Sequence, residues 1–405
     1  MPYPDSNIPE TEIDTQEATT KVPQPVNKPT LVEILKHTAL FVATFACVTF
    51  FGIIFVGQDV GVDNYLDMWP QGALFAALLL GFLATHEFGH YFAAVYHKVR
   101  VSLPYFIPLP LGIGTMGAVI RIKEQIHTTR KLFDIGISGP IAGFVVSLII
   151  LLYGFATLPD PSFIENFSGH EAVIEHVEQT GAFPDESPET PDGVGSIIIG
   201  NTLLYSFLAS FFDNVPPMYE MYHYPFLFAG WLGLFFTALN LMPIGQLDGG
   251  HILYSLIGFK KHQQAARICF GVLTLFAGIE AIPFLYLQFS EWLPGFEFSS
   301  TIIWAGILFF LMRKAFHNAH QWIAPIWALS LMGSVGYLYF LGDGVDEAGS
   351  LIWVFWCFFL VYFVKIEHPP VIYEQHLSPR RRALGWISMI VFILCISPSP
   401  ISVIS

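Results

Sequence analysis

Three residues in one short run have the types and spacing to hold a metal and move a proton: His86, Glu87 and His90, in the stretch THEFGHYF. On a helix, positions i and i+4 share a face, so both imidazoles can reach one cation while the carboxylate of Glu87 stands beside it as general base. This is an H-E-x-x-H pattern, two metal-binding imidazoles with a carboxylate beside them. A catalytic zinc takes three protein ligands and keeps one position open for water. The run lies inside an apolar stretch, where ionisable side chains are expensive and default to a functional reading. Core histidines bonded to a neighbouring helix would instead need partners for three polar groups on adjacent faces.

The third ligand must come from elsewhere at the same depth, and the candidates are Asp134, Asp248 and Glu280. Asp248 lies in NLMPIGQLDGGH (240–251), where Pro243 and Gly245 break an apolar run near its end. Non-helical backbone at membrane depth is tolerated only when it is buried in protein or lines a water-filled cavity, and a hydrolytic site needs such a cavity.

These residues belong to a chain of 405 residues that is 54% apolar and only 12% charged. A soluble domain carries about a quarter charged residues, so an ordinary soluble enzyme and a disordered tail protein are both excluded. Apolar runs near the spanning length of roughly 20 residues occur at 38–56, 73–96, 132–158, 226–242, 265–289, 299–312, 323–341, 350–364 and 384–401. The expected fold is therefore an all-α polytopic membrane protein of about nine transmembrane helices. With the amino terminus inside, all 18 Lys and Arg fall in inside segments, and the outside segments carry acids instead. That split follows the bias of short loops toward positive-inside. It also places 196–212 as a re-entrant or interfacial helix on the outer side, because a crossing there would move every later basic loop outside. On this topology His86, His90 and Asp248 share one depth.

The four cysteines lie in apolar stretches without a C-x-x-C pair, so neither a disulfide framework nor a thiolate zinc site is available. The polar, Pro-rich start has neither the apolar core of a signal peptide nor the arginines of a transit peptide, and reads as a disordered lead-in. The expected division is a cytoplasmic lead-in at 1–37, a catalytic membrane core at 38–263 with an acidic outer loop at 159–195, and additional carboxy-terminal helices at 264–405.

HEFGH with the downstream NLMPIGQLDGG resembles the site-2 protease family of intramembrane zinc metalloproteases, and SGPIAGF (138–144) resembles the Gly-Pro segment of its third core helix. The resemblance implies His86, His90 and Asp248 as Zn2+ ligands, Glu87 as base, and Asn240 as a polar group near the scissile carbonyl. It implies hydrolysis of a peptide bond within a transmembrane helix of a membrane-tethered regulator or a remnant signal peptide. The partners would be single-span membrane proteins and the lipid bilayer, with no nucleic acid. The inserted PDZ-like domain of many relatives is lacking here. With no targeting sequence read, a prokaryotic inner membrane with a cytoplasmic amino terminus is expected.

The segment VSLPYFIPLPLGIGTMGAVIRIKE (101–124) has too many prolines and glycines for a spanning helix. It resembles the family's small membrane-associated β-hairpin beside the site, the alternative being an inner-surface loop. Gly139 and Gly143, four apart, permit close helix packing. Asn240 could donate to a developing oxyanion or bond to another helix, and His251 could orient Asp248 from behind. Glu280 could be a packing residue or line a substrate path. Two other classes compete with a protease. A di-iron desaturase needs several histidine boxes where only one H-x-x-x-H pair exists, and a transporter or silent scaffold would suit the extra helices. The topology has a direct test: in a Cys-less variant, single cysteines near Lys98, Lys260 and Arg381 should label from the inside and one near Glu175 from the outside. Labelling of position 260 from outside would overturn the orientation.

Overall fold

The computed structural model describes residues 29–58, 64–186, 196–296, 299–317, 319–340 and 351–404. Most of the predicted lead-in, 1–28, lies outside the described residues. Its end is helical: α1 (Leu31–Val56) starts well before position 38 because Thr30 and Glu33 form a capping box, with each side chain taking the other's backbone N–H. Then follow α2 (Trp69–Tyr96), β1 (Tyr105–Pro108), β2 (Thr115–Val119), α3 (Thr129–Ala156), α4 (Glu171–Thr180), β3 (Ser196–Ile199), α5 (Leu203–Ala209), α6 (Pro225–Leu241), α7 (Asp248–Ile257), α8 (Phe259–Trp292), α9 (Ser299–Ala315), α10 (His320–Phe340), α11 (Ile352–Phe359), α12 (Pro379–Cys395) and β4 (Ile401–Ile404).

Among the described residues, five helical segments are long and apolar enough to cross a membrane: Leu31–Val56, Tyr65–Tyr96, Thr129–Ala156, Phe259–Trp292 and His320–Phe340. The other four predicted spans fall on shorter helices. Two of these, α9 and α12, have 17 residues each, as does α6. The fourth joins α11 to a wider turn ending at Val364. The run 196–212 holds no helix of spanning length. It is strand β3 followed by the seven-residue α5, about 10 Å of helix, and Leu203, Phe207 and Phe211 are exposed as on an interfacial helix.

At the centre α2 packs on α1, α3 and α6, and α3 also meets α6 and α7. The 17-residue α6 is apolar almost all round and buried along most of its length, as expected of a helix enclosed by others. The hairpin exists as predicted: β1 and β2 pair antiparallel, Tyr105 opposite Val119 and Phe106 opposite Ala118. His37 of α1 donates or accepts at Nδ1 against the Pro104 carbonyl, 2.8 Å away; a carbonyl only accepts, so the ring donates. A second two-stranded sheet, β3 with β4, joins the chain's end to the segment before α5. The acidic segment after α3 is less irregular than its composition suggests. Helix α4 covers a small core of Ile164, Phe167, Val173, Val177 and Tyr219. Nearby, burial pushes the His223 imidazole down to about 3 and the Glu220 carboxyl above its usual range.

Two of the three candidate third ligands are engaged elsewhere. Asp134 pairs with His97 at 2.9 Å and accepts two bonds from Arg381, at 2.7 and 2.8 Å. Glu280 is a packing residue: its Oε2 accepts the Trp353 N–H at 2.8 Å and so caps the first turn of α11. Replacing Glu280 with Ala would strand that buried donor, and thermal unfolding in detergent should show a loss of about 1–3 kcal/mol, with metal content unchanged. A fall in bound metal in Glu280→Ala would return Glu280 to the ligand set.

Candidate metal centre

The long helix α2 carries His86, Glu87 and His90 on its buried side, at 3%, 7% and 5% exposure. Asp248 comes from the far end of α6. The chain leaves that helix at Met242, turns through Gly245 with φ +54, and re-enters helix at Asp248. A carboxylate at the first position of a helix is favoured by the unpaired N–H groups and dipole there. Asp248 Oδ2 lies 3.1 Å from His90 Nε2 and 3.4 Å from His86 Nε2, and the two Nε2 atoms are 3.1 Å apart. Tetrahedral zinc with bonds of 2.0–2.2 Å holds its ligand atoms roughly 3.3 Å from one another, so this donor set fits such an ion. Glu87 Oε1 stands 4.0 Å from His86 Nε2, beside the triad.

Helix α3 sets the orientation of the ligands. His90 Nδ1 donates to the Ile135 carbonyl at 2.7 Å, which fixes the tautomer and leaves the Nε2 lone pair for a cation. The ring fits only because position 139 is glycine: a Cβ there would lie 2.1 Å from His90 Nε2. A Cβ on Gly143 would lie 3.2 Å from His86 Nδ1, and one on Gly89 would lie 2.6 Å from the Ser138 carbonyl. The sequence reading assigns Gly139 and Gly143 to packing. They do pack, and what they pack against is the ligands; their spacing on a helix next to a metal motif was the available signal.

The triad opens on a cavity of about 410 Å³ lined by His86, Glu87, His90, Val119, Ile120, Asn240, Gln246 and Asp248, among others. The end of β2 thus forms one wall. Asn240 faces this cavity, and its amide donates to the Phe236 carbonyl one turn back at 3.0 Å, leaving its second N–H uncommitted among the described residues. His251 does not contact the Asp248 carboxylate. Its Nδ1 meets His368 Nε2 at 2.8 Å, in the segment between α11 and α12. That segment also places the Ile366 carbonyl on the Gly245 N–H at 3.0 Å, so it holds the turn that delivers Asp248.

The sequence matches Peptidase family M50 over residues 74–278, about half of the chain and including all four residues of the centre. The chain belongs to that family, the site-2 proteases. It is 26% identical over 257 residues to the probable zinc metalloprotease EGY2, chloroplastic, of Oryza sativa subsp. indica, covering 60% of this chain and 41% of that one. With the probable zinc metalloprotease EGY1, chloroplastic, of Arabidopsis thaliana it shares 29% over 200 residues, 48% of this chain and 31% of the other. With EGY1 of Oryza sativa subsp. japonica it shares 31% over 177 residues, 43% and 26% respectively. The chain thus spans about two fifths or less of the length of these relatives. Their names place them in chloroplasts, which gives the expected prokaryotic inner membrane no support. No solved structure matches the chain.

Gly139 provides the test of this geometry. Gly139→Ala should push the His90 ring off its position, lower metal content by about one equivalent per chain, and reduce any proteolytic activity by at least about 10²-fold, as expected for a misplacement of about 1 Å. Gly81→Ala, on α2 with no atom within 4 Å of the added Cβ, should leave both unchanged. Elemental analysis of the purified proteins checks the first effect.

Proposed function

We propose that this chain is a zinc-dependent intramembrane endopeptidase that hydrolyses a peptide bond within a transmembrane helix of another protein. The observation that carries the reading is the convergence of His86 Nε2, His90 Nε2 and Asp248 Oδ2 within 3.4 Å, with Glu87 beside them in a cavity enclosed by apolar helices. Family membership and the names of the relatives support the metal and the reaction class.

His86, His90 and Asp248 would hold the zinc, which when bound supplies Lewis-acid polarisation of the scissile carbonyl and of a water molecule. Glu87 takes the proton as that water forms its bond to the carbonyl carbon, and delivers it to the amide nitrogen as the C–N bond breaks. Asn240 lines the same cavity and would stabilise the developing oxyanion with the N–H that does not bond Phe236. A helical substrate hides its carbonyls in i to i−4 bonds and must unwind first. The edge of β2 not paired with β1 can take up the extended stretch. The substrates would be single-span membrane-tethered regulators or remnant signal peptides.

The same reading places all nine apolar helices across the bilayer, with the basic segments and the amino terminus on the cytoplasmic side of a cell membrane, or on the equivalent side of an organelle membrane. It divides the chain into a lead-in at 1–37, a catalytic core at 38–263 and carboxy-terminal helices at 264–405.

Ligand and base should fail differently. Glu87→Gln keeps the shape but cannot accept a proton, so it should retain wild-type metal content while losing roughly 10²- to 10⁴-fold in cleavage rate. Asp248→Ala should lose about one metal equivalent together with activity. Cleavage of a transmembrane substrate would be followed in detergent and in liposomes. Wild-type turnover by Glu87→Gln, or full metal and full activity in Asp248→Ala, would defeat the mechanism.

A further inference from the structure

At the end of α6 opposite to Asp248, a side chain from before α4 meets two that stand three positions apart in the turn before α6, in an arrangement similar to that of His86, His90 and Asp248. His170 comes from the residue before α4, and Glu220 and His223 come from the turn that leads into α6. Their donor atoms lie within 4.8 Å of one another, as do those of His86, His90 and Asp248. His223 Nε2 is 3.1 Å from His170 Nε2, the same separation as between His86 and His90. Glu220 Oε2 is 3.6 Å from His223 Nε2, and Glu220 Oε1 accepts from His170 Nδ1 at 2.9 Å.

The proton count around this cluster leaves it short of a positive charge. His223 Nδ1 donates to the Phe55 carbonyl at 2.8 Å, at the end of α1, just as His90 Nδ1 donates to Ile135. A carbonyl can only accept, so in the neutral ring the Nε2 of His223 is a bare lone pair. With Glu220 ionised, as a bound cation would keep it, His170 Nδ1 donates to the carboxylate and its Nε2 is a second lone pair, 3.1 Å from the first. The third member, Glu220 Oε2, is buried in a residue only 2% exposed and has no hydrogen-bond partner among the described residues. Two lone pairs and a carboxylate oxygen facing one another are repulsive unless a cation sits among them. Two imidazoles and one carboxylate are a donor set suited to zinc and its divalent neighbours. The carbonyl behind His223 is the backing that metal-bound histidines usually have.

We infer that His170, Glu220 and His223 form a second, structural binding site for a divalent cation of the zinc class. It would tie the α4 segment to the end of α1 and the start of α6. A proton shared between the two histidines would fill the same gap, so the experiment must separate a metal from a proton.

The full chain, stripped with a chelator in detergent, would be titrated with Zn2+, desalted and analysed for bound metal, and titrated in parallel with Co2+ for its visible absorption. The wild type should hold about two equivalents. His170→Ala and Glu220→Gln should each hold about one, a His86→Ala/His90→Ala double variant about one, and the combination of His170→Ala with that double variant none. Zn2+ should also slow protease cleavage within residues 163–180 in the double variant, and not in His170→Ala. Because His170 sits at a loop position with its side chain 17% exposed, its replacement is tolerated even should changes at the more buried His223 disturb folding. One equivalent in the wild type that persists in His170→Ala and Glu220→Gln would overturn this inference and assign the cluster to a shared proton, leaving the catalytic reading intact. One equivalent lost in His170→Ala but kept in the His86/His90 double variant would support this site and defeat the catalytic one instead.

Discussion

The close approach of α3 to α2 is the constraint on which the site depends. Where the helices touch, each gives up a Cβ: Gly89 on α2 faces the backbone of Ser138 and Gly139, and Gly139 on α3 faces the imidazole of His90. With side chains at those positions the axes would separate by the width of a methyl group or more, and the Ile135 carbonyl would no longer reach His90 Nδ1. An isolated imidazole in an apolar interior can rotate and can choose either tautomer. Held against α3, it presents one nitrogen in one direction, and binding then costs no reordering of that ligand. Pro140 removes one backbone donor from α3 close to the site, and the helix nevertheless runs through it without a break.

The other half of the centre depends on a turn. Asp248 reaches the histidines because the chain stops being helical after α6, and that stretch is held by contacts as close as those of α2 and α3. A Cβ on Gly249 would lie 1.8 Å from the Leu241 carbonyl, and one on Gly245 would lie 1.8 Å from the Lys365 carbonyl. Bare backbone in an apolar surrounding needs partners, and here the connector between α11 and α12 supplies them, through Ile366 on Gly245 and His368 on His251. The same connector is anchored by Glu367 on Arg267 and by Glu374 on Tyr254. The carboxy-terminal helices are therefore coupled to the turn that carries Asp248, a role that no feature of their own sequence announces.

What could be read in advance follows from the range of each interaction. H-E-x-x-H is local, so its face was legible from helical spacing alone, and the broken run around Pro243 singled out Asp248, which the structure brings beside the two histidines. The hairpin was legible through the prolines and glycines of 101–124. The start of α1 was legible too, in the T-x-x-E of residues 30–33, but an apolar window passes over it because Lys36 and His37 interrupt the run. Glu280 as a helix cap depends on α11, more than 70 residues away, and no spacing rule reaches that far. The cluster of His170, Glu220 and His223 joins residues about 50 positions apart with no motif between them. Only the folding of the segment between α3 and α6 brings them together, and its acidic composition announces no such cluster.

The short length of α6 connects these features. At 17 residues it rises about 25 Å, less than the roughly 30 Å of a hydrocarbon core. Exposed to lipid, such a helix would leave its terminal N–H and C=O groups in hydrocarbon without partners. Instead α6 is enclosed by protein, so both of its ends can pass into non-helical backbone below the surface. At each end of α6 a turn delivers polar side chains: Glu220 and His223 before Pro225, Gln246 and Asp248 after Leu241. A longer α6 would carry both turns further from the protein interior, where water competes for the same polar groups. Keeping α6 short and enclosed holds both groups of polar side chains within the protein, where few competing partners exist and a single arrangement of donors can persist.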